Sequence, residues 1–135
     1  VDVGAGQLDW RLRSDPRVVV RDRINARRLS LEDLGETVDF VCVDVSFISA
    51  TLILPRLPAL MNAGAQAVVL VKPQFEVGRE QVGKGGIVRD PALHAAALDK
   101  VRTAAEAAGL PPAGSIPSPI LGAEGNQEFL LHLRR

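Results

Sequence analysis

Two short apolar runs constrain this chain more than any other feature. DFVCVDV (Asp39 to Val45) and AQAVVLV (Ala65 to Val71) are rich in β-branched residues and have the length of buried strands. Asp44 lies at the carboxyl end of the first, and Lys72 directly follows the second. The stretch between them, Ser49 to Ala63, is apolar and reads as partly helical, bent or broken by Pro55 and Pro58. Strand, helix and strand in that order imply a parallel sheet with helices on both faces, an α/β architecture.

The flanking segments extend this pattern. Val1 to Val3 reads as the tail of a strand. Gln7 to Arg13 suits a short helix stopped near Asp15-Pro16, because the residue before proline avoids helical geometry. Arg17 to Arg21 is a β-branched strand run, and Leu31 to Leu34 a helical turn capped by Ser30. A polar, glycine-rich loop occupies Gln74 to Val88. Asp90 then caps a helix with Pro91 at its first position, which runs to Gly109. After a Pro/Gly/Ser-rich passage, Glu128 to Leu133 (EFLLHL) forms a last strand. The 135 residues suffice for one α/β domain or most of one, and a start on Val inside a strand-like stretch reads as a fragment.

Composition removes several classes of function. No apolar run approaches the roughly 20 residues of a membrane span, and the front of the chain lacks a signal-peptide layout. With one cysteine, Cys42, no disulfide can form within the chain and a metal cluster is disfavoured; Cys42 reads as a small buried core residue. These features point to the cytoplasm. Formal net charge is zero, yet Arg11, Arg13, Arg17, Arg21, Arg23, Arg27 and Arg28 crowd one stretch. That face either holds RNA phosphates or pairs with Asp9, Asp15 and Asp22 and merely solvates a surface. His94 and His132 read as structural. Trp10 either stacks on a base or packs on the sheet.

Three motifs carry potential chemistry. VDVGAGQ (Val1 to Gln7) has the glycine-x-glycine of a dinucleotide turn but lacks the third glycine and a long following helix. The other reading makes Asp2 the acid that ends a second strand and accepts hydrogen bonds from a ribose; the residues leave both open. GREQVGKG (Gly78 to Gly85) imitates a P-loop, but Gly85 stands where Ser or Thr would bind magnesium, and no helix follows directly. It reads better as a substrate-closing loop that offers Arg79, Lys84 and Arg89 to phosphates. The third constellation is Asp44, Lys72 and Glu128. Ligands of open α/β sheets bind outside the carboxyl ends of parallel strands, and an antiparallel final strand would start at that same rim. The alternative is a structural salt bridge.

At these residues the chain resembles a known family. DVSFIS, LVKPQFEVGRE, VGKGGIVRDP and GNQEFLL, in order and spanning the whole chain, look like the haemolysin-A-like (TlyA) ribosomal RNA methyltransferases, relatives of the FtsJ-type 2′-O-methyltransferases. The resemblance implies a Rossmann-like class I S-adenosylmethionine-dependent methyltransferase fold, here without its first strand and cofactor glycine loop, and without an N-terminal RNA-binding domain of the S4 type. It implies methylation of ribose 2′-hydroxyls in ribosomal RNA, on cytidines, by a Lys-Asp-Lys-Glu tetrad. Asp44, Lys72 and Glu128 are its counterparts here, the first lysine preceding Val1. Asp2, Asn25 and Asp44 would border the cofactor, and VDVG would follow the second strand. Partners would be ribosomal RNA or ribosomal subunits, with neither metal nor membrane. The fragment by itself is expected to be inactive, because it lacks one of the four tetrad groups. Since the sulfonium methyl is already activated, catalysis should rest on positioning and on removing the hydroxyl proton, with Lys72 at the hydroxyl and the two carboxylates orienting it. A rival reading is a non-catalytic RNA-binding module built on the arginines and the Gly78 to Arg89 loop.

Overall fold

Alternation along AQAVVLV decides how the sheet is clothed. In the computed structural model, which describes residues Val1–Arg135, the side chains of Ala65, Ala67, Val69 and Val71 are buried, while Gln66 is exposed and Val68 and Leu70 are half-buried. Four strands form one sheet: β1 (Val38–Val43), β2 (Met61–Val71), β3 (Pro112–Pro117) and β4 (Phe129–Arg134), in the order β1-β2-β4-β3. The β1–β2 pair is parallel, and β4 runs antiparallel to both β2 and β3. The sheet is therefore mixed rather than parallel. The strand missed by sequence reasoning, β3, carries prolines at both ends, which only an edge strand tolerates.

Five α-helical segments accompany the sheet: α1 (Trp10–Arg13), α2 (Leu31–Leu34), α3 (Leu57–Leu60), α4 (Pro73–Glu76) and α5 (Pro91–Ala107). The Asp90 carboxylate caps α5 by accepting the Ala92 N–H at 2.8 Å. Ala97, Val101 and Ala105, four residues apart, bury one stripe of α5 in the core. Leu54, Leu57, Leu131 and Leu133 complete that core, each full burial contributing about 1.5–3 kcal/mol. The opposite face of the sheet is less covered than expected. Phe40 is 55 % exposed there, and Cys42 is exposed as well, so its reading as a core residue is corrected. The cause is parity: Val41 and Val43 take the inward positions of β1, which leaves Phe40 and Cys42 pointing outward.

The first thirty residues depart most from expectation. Neither Val1 to Val3 nor Arg17 to Arg21 forms a strand. They are joined by only a few bonds: Asp2 N–H to the Arg21 carbonyl, Ile24 N–H to the Asp2 carbonyl, and Arg23 N–H to the Gly4 carbonyl, each near 3.0 Å. Arg23 adopts a left-handed conformation (φ 61°), which ends any extended run there. The first helix begins only at Trp10, where the Asp9 carboxylate caps it by accepting the Arg11 N–H.

The Gly78–Arg89 segment is more built than a loose loop. It contains a 3₁₀ turn at Arg79–Gln81 and an isolated bridge between Gly83 and Ile87. The N–H groups of Gly83 and Gly86 bond to the loop's own carbonyls, of Ile87 and Gly83, instead of facing a phosphate. That disposes of the P-loop reading. Buried Asn126 ties the segment to the chain leading into β4. Its Oδ1 accepts the Val88 N–H at 3.0 Å, and its Nδ2 donates to the Gly86 and Ala123 carbonyls at 2.9 and 3.1 Å. Asn126→Ala strands a buried N–H and should lower stability by about 2–4 kcal/mol, read from the denaturant midpoint. Asn126→Asp should do no better, since a second oxygen would oppose two carbonyls.

Candidate active site

The sheet brings three chain segments to one rim. Asp44 directly follows β1, Lys72 directly follows β2, and Glu128 directly precedes β4. Because Val71 pairs with Phe129, the antiparallel register sets Lys72 beside Glu128, each one residue beyond its strand. The Lys72 Nζ lies 2.7 Å from Asp44 Oδ1 and donates to Ser46 Oγ at 3.1 Å. The lysine side chain is only 13 % exposed, whereas that of Asp44 is 67 % exposed. The ammonium is thus held inside the rim by a carboxylate that reaches to solvent. An interaction screened on one side contributes orientation more than stability.

Glu128 behaves differently from expectation. It forms no ion pair with Lys72; its Oε1 accepts the Gln74 Nε2 donor at 3.1 Å, within a pocket that leaves it 6 % exposed. One carboxylate, not two, holds the lysine. The oxygen of the same Gln74 amide, Oε1, is buried without a partner. Gly122 closes the pocket, and a Cβ there would collide with the Glu128 carboxylate.

The segment Lys72 to Glu76 organises all of this. Pro73 sets the first position of α4, so successive side chains fan out from one tight turn. Lys72 reaches Asp44, Gln74 reaches Glu128, Phe75 meets the Phe47 ring at 5.2 Å between centroids, and Glu76 reaches Ser49 and Ala50. Phe47 is an outlier twice over. It is 87 % exposed, and its φ of 66° is a left-handed conformation rare for a bulky residue.

Beside this rim opens a cavity of about 570 Å³. Asp2, Asn25 and Asp44 all line it, with Ile24, Val45 and Phe47 among its apolar walls. Asp2 Oδ1 accepts the Gly4 N–H at 2.6 Å, leaving its second oxygen as an acceptor. Asn25 Oδ1 accepts the Arg27 N–H at 3.0 Å, which leaves its NH₂ as a donor. A second, apolar groove of about 270 Å³ runs along the edge of β1 that pairs with no strand.

The cationic residues divide into two groups. Arg11, Arg13 and Arg17 pair with Asp9, Asp22 and Asp15, so the arginine-rich stretch is partly self-neutralised. The Arg11 side chain holds Asp9, and the Arg17 side chain holds Asp15, below the ordinary carboxylate pKa. The Gly6 N–H does the same for Asp22, aided by Arg13. These folded-state values are depressed, so their support is present at neutral pH and lost as pH falls below about 4. Arg79, Lys84 and Arg89, by contrast, are exposed and form no ion pair. Trp10 is also exposed and does not pack on the sheet. His94 sits 2.7 Å from the Val88 carbonyl oxygen with its ring edge-on to Phe129, and His132 sits 2.7 Å from Gln66 Oε1.

The profile of the FtsJ-like methyltransferases matches residues 1–135, the full length of the chain. This chain belongs to that family. It is 50% identical over 133 residues to the 16S/23S rRNA (cytidine-2′-O)-methyltransferase TlyA of Mycobacterium tuberculosis, covering 98% of this chain and 50% of that protein. A solved structure from Lactococcus lactis that carries a hemolysin name superposes with a TM-score of 0.94 at 47% identity, over 98% of this chain and 64% of that one. An S-adenosylmethionine-dependent methyltransferase from Methanosarcina mazei shares the fold alone, at 14% identity and a TM-score of 0.55, over 93% of this chain and 74% of that one. The chain spans about half the length of the curated relatives it matches. Its fold is the Rossmann-like one of the FtsJ-like family. No helix of this FtsJ-like chain is long and apolar enough to cross a membrane.

Several residues of this candidate site escaped sequence reasoning. Ser46, Phe47, Gln74, Glu76 and Asn126 sit inside DVSFIS, KPQFE and GNQEFL, but none belongs to a spacing pattern with a chemical reason of its own. The available signal was density: five adjacent residues, Lys72 to Glu76, of which four are polar or aromatic directly after a buried strand.

Proposed function

We propose that the protein to which this FtsJ-like stretch belongs catalyses S-adenosylmethionine-dependent methylation of ribose 2′-hydroxyls in ribosomal RNA, on cytidines, in the cytoplasm, and that residues 1–135 by themselves are inactive. The observation that carries this reading is the Lys72–Asp44 pair, fixed at the mouth of a cavity whose donors and acceptors suit a nucleoside. A cavity of about 570 Å³ is within the range of small-molecule sites. The free Asp2 oxygen suits ribose hydroxyls, the Asn25 NH₂ suits an adenine nitrogen, and Ile24 and Val45 suit the flat faces of the base. The bound cofactor supplies an activated methyl on a sulfonium. The match to about half the length of the curated relatives supports reading these residues as part of a longer protein.

The chain's own residues do the rest. Lys72 directs an N–H at the 2′-oxygen as negative charge develops on it, and Asp44 and Ser46 keep that N–H aimed. The exposed Asp44 carboxylate gives the departing proton a path to water. Glu128 fixes Gln74 and the start of β4, closing the floor beneath the lysine. Arg79, Lys84 and Arg89 lie on an exposed segment anchored to the same rim and supply phosphate contacts.

The strained, exposed Phe47 ring beside the pair offers a face on which the target base can stack. Phe47→Leu should therefore lower kcat/KM for RNA by about 5- to 100-fold, the worth of one stacking contact, while Phe47→Trp retains most of it. Equal loss in both variants would remove the stacking role. The function is tested with ribosomal RNA and labelled cofactor. Methylated ribose cannot form the 2′-alkoxide that cleaves the neighbouring phosphodiester, so the labelled nucleotide must survive alkali as part of a dinucleotide. Label recovered as a mononucleotide would place the methyl on a base and refute the reading. The non-catalytic RNA-binding alternative predicts binding with no label at all.

A further inference from the structure

A second buried carboxylate at the rim belongs to neither the lysine nor the cavity. Glu76 ends α4 with its side chain 2 % exposed, and it is saturated with donors. Its Oε2 accepts the Ser49 hydroxyl at 2.5 Å, and its Oε1 accepts the Ala50 N–H at 2.7 Å. Lys100 Nζ, on α5, lies 3.2 Å from Oε2 and also donates to the Glu76 backbone carbonyl at 2.7 Å. Burying a carboxylate costs several kcal/mol unless such donors compensate it. A leucine there would strand the buried Ala50 N–H and leave the Ser49 hydroxyl and Lys100 without this acceptor, so the carboxylate is what ties these groups to α4.

The geometry shows what the charge holds. Asp44, Ser46 and Phe47 lie on the connection from β1 to Ser49, which bends at Ser46 to Ile48 and is left-handed at Phe47. It is fixed at one end by β1 and at the other by the Ser49–Ala50 bonds to Glu76. Glu76 itself is four residues from Lys72 on a proline-started turn. The two halves of the Lys72–Asp44 pair are thus locked together at a point remote from the reacting atoms.

We infer that Glu76 is a positioning residue for methyl transfer: it clamps the Asp44–Phe47 connection to the Lys72 turn, and so sets the aim of the lysine. This rests on the reading of Lys72 and Asp44 as the reacting pair. Glutamine at position 76 can accept the Ala50 N–H and donate to the Ser49 oxygen, so it preserves the clamp without the charge; alanine cannot.

The full-length protein should be assayed with ribosomal RNA and S-adenosylmethionine, alongside amide hydrogen exchange. Glu76→Ala should lower kcat by roughly 30-fold or more, the effect of an ångström-scale misplacement, with KM for RNA within threefold. Exchange should quicken at Ser46 to Ala50 and not at Val41 to Val43. Glu76→Gln should restore both readouts to within about threefold. Should Glu76→Ala not fold, Ser49→Ala, which removes one leg of the clamp, should still lower kcat by about 3- to 10-fold.

A folded Glu76→Ala with unchanged kcat overturns the inference, as do a Glu76→Gln no better than alanine, faster exchange throughout β1 and β2, and a Ser49→Ala with unaltered turnover. Lys72→Ala run in parallel separates the two claims. A dead Lys72→Ala beside an intact Glu76→Ala removes only the clamp, whereas an active Lys72→Ala removes the site and the clamp with it.

Discussion

Lys72→Ala should reduce methyl transfer by about 10³-fold and leave RNA affinity within about twofold. The side chain is mostly buried, faces Asp44 and Ser46, and makes no contact with the Arg79, Lys84 and Arg89 segment that would hold phosphates. Its loss therefore strikes the reacting geometry and spares the electrostatic footprint. Lys72→Arg should recover little. A guanidinium delivers its donors in a plane and from a longer stem, so it cannot satisfy Asp44 and Ser46 while pointing a third N–H at a hydroxyl. The measurements are single-turnover methylation and filter binding on the same RNA. A parallel fall in both would mark Lys72 as a phosphate contact and return the protein to the RNA-binding class.

Gly122→Ala should lower kcat by about 10- to 100-fold without touching any ionisable group. Glycine at 122 has ordinary dihedrals (φ −78°, ψ −168°), so alanine brings no backbone strain. Its only consequence is a methyl group in the space of the Glu128 carboxylate, which is buried and cannot swing aside. Displacing Glu128 also frees the Gln74 NH₂, on an amide whose oxygen already lacks a partner. Gly78→Ala is the matched control. A Cβ there also meets a carboxylate, that of Glu80, but Glu80 is exposed and moves into solvent. Equal activity of the two alanine variants would show that Glu128 needs no fixed position.

The sequence shows some of this clearly and hides the rest for physical reasons. β1, β2, β4 and α5 announce themselves because their periodicity is set by burial in one core, and local pattern then equals tertiary fate. The rim residues follow from strand ends plus a topological rule, which is why Asp44, Lys72 and Glu128 could be named together. β3 was hidden because its prolines argue against a strand and only its edge position permits them. Val1 to Val3 and Arg17 to Arg21 looked like strands because propensity is local, while a ladder needs a neighbour. Cys42 was misplaced because an apolar run does not reveal which of its two parities faces the core. Glu128 pairs with Gln74 although the register sets it beside Lys72, because the lysine turns to Asp44 and Ser46, and charge alone does not say which acid it meets.

The antiparallel placement of β4 has a consequence for timing. As the chain is made, β1 and β2 emerge first and can already join Asp44 to Lys72, but the floor bearing Glu128 comes with a strand synthesised much later. The Asp44–Lys72 pair can therefore form before Glu128 arrives, and the rim is complete only when that late strand slots home.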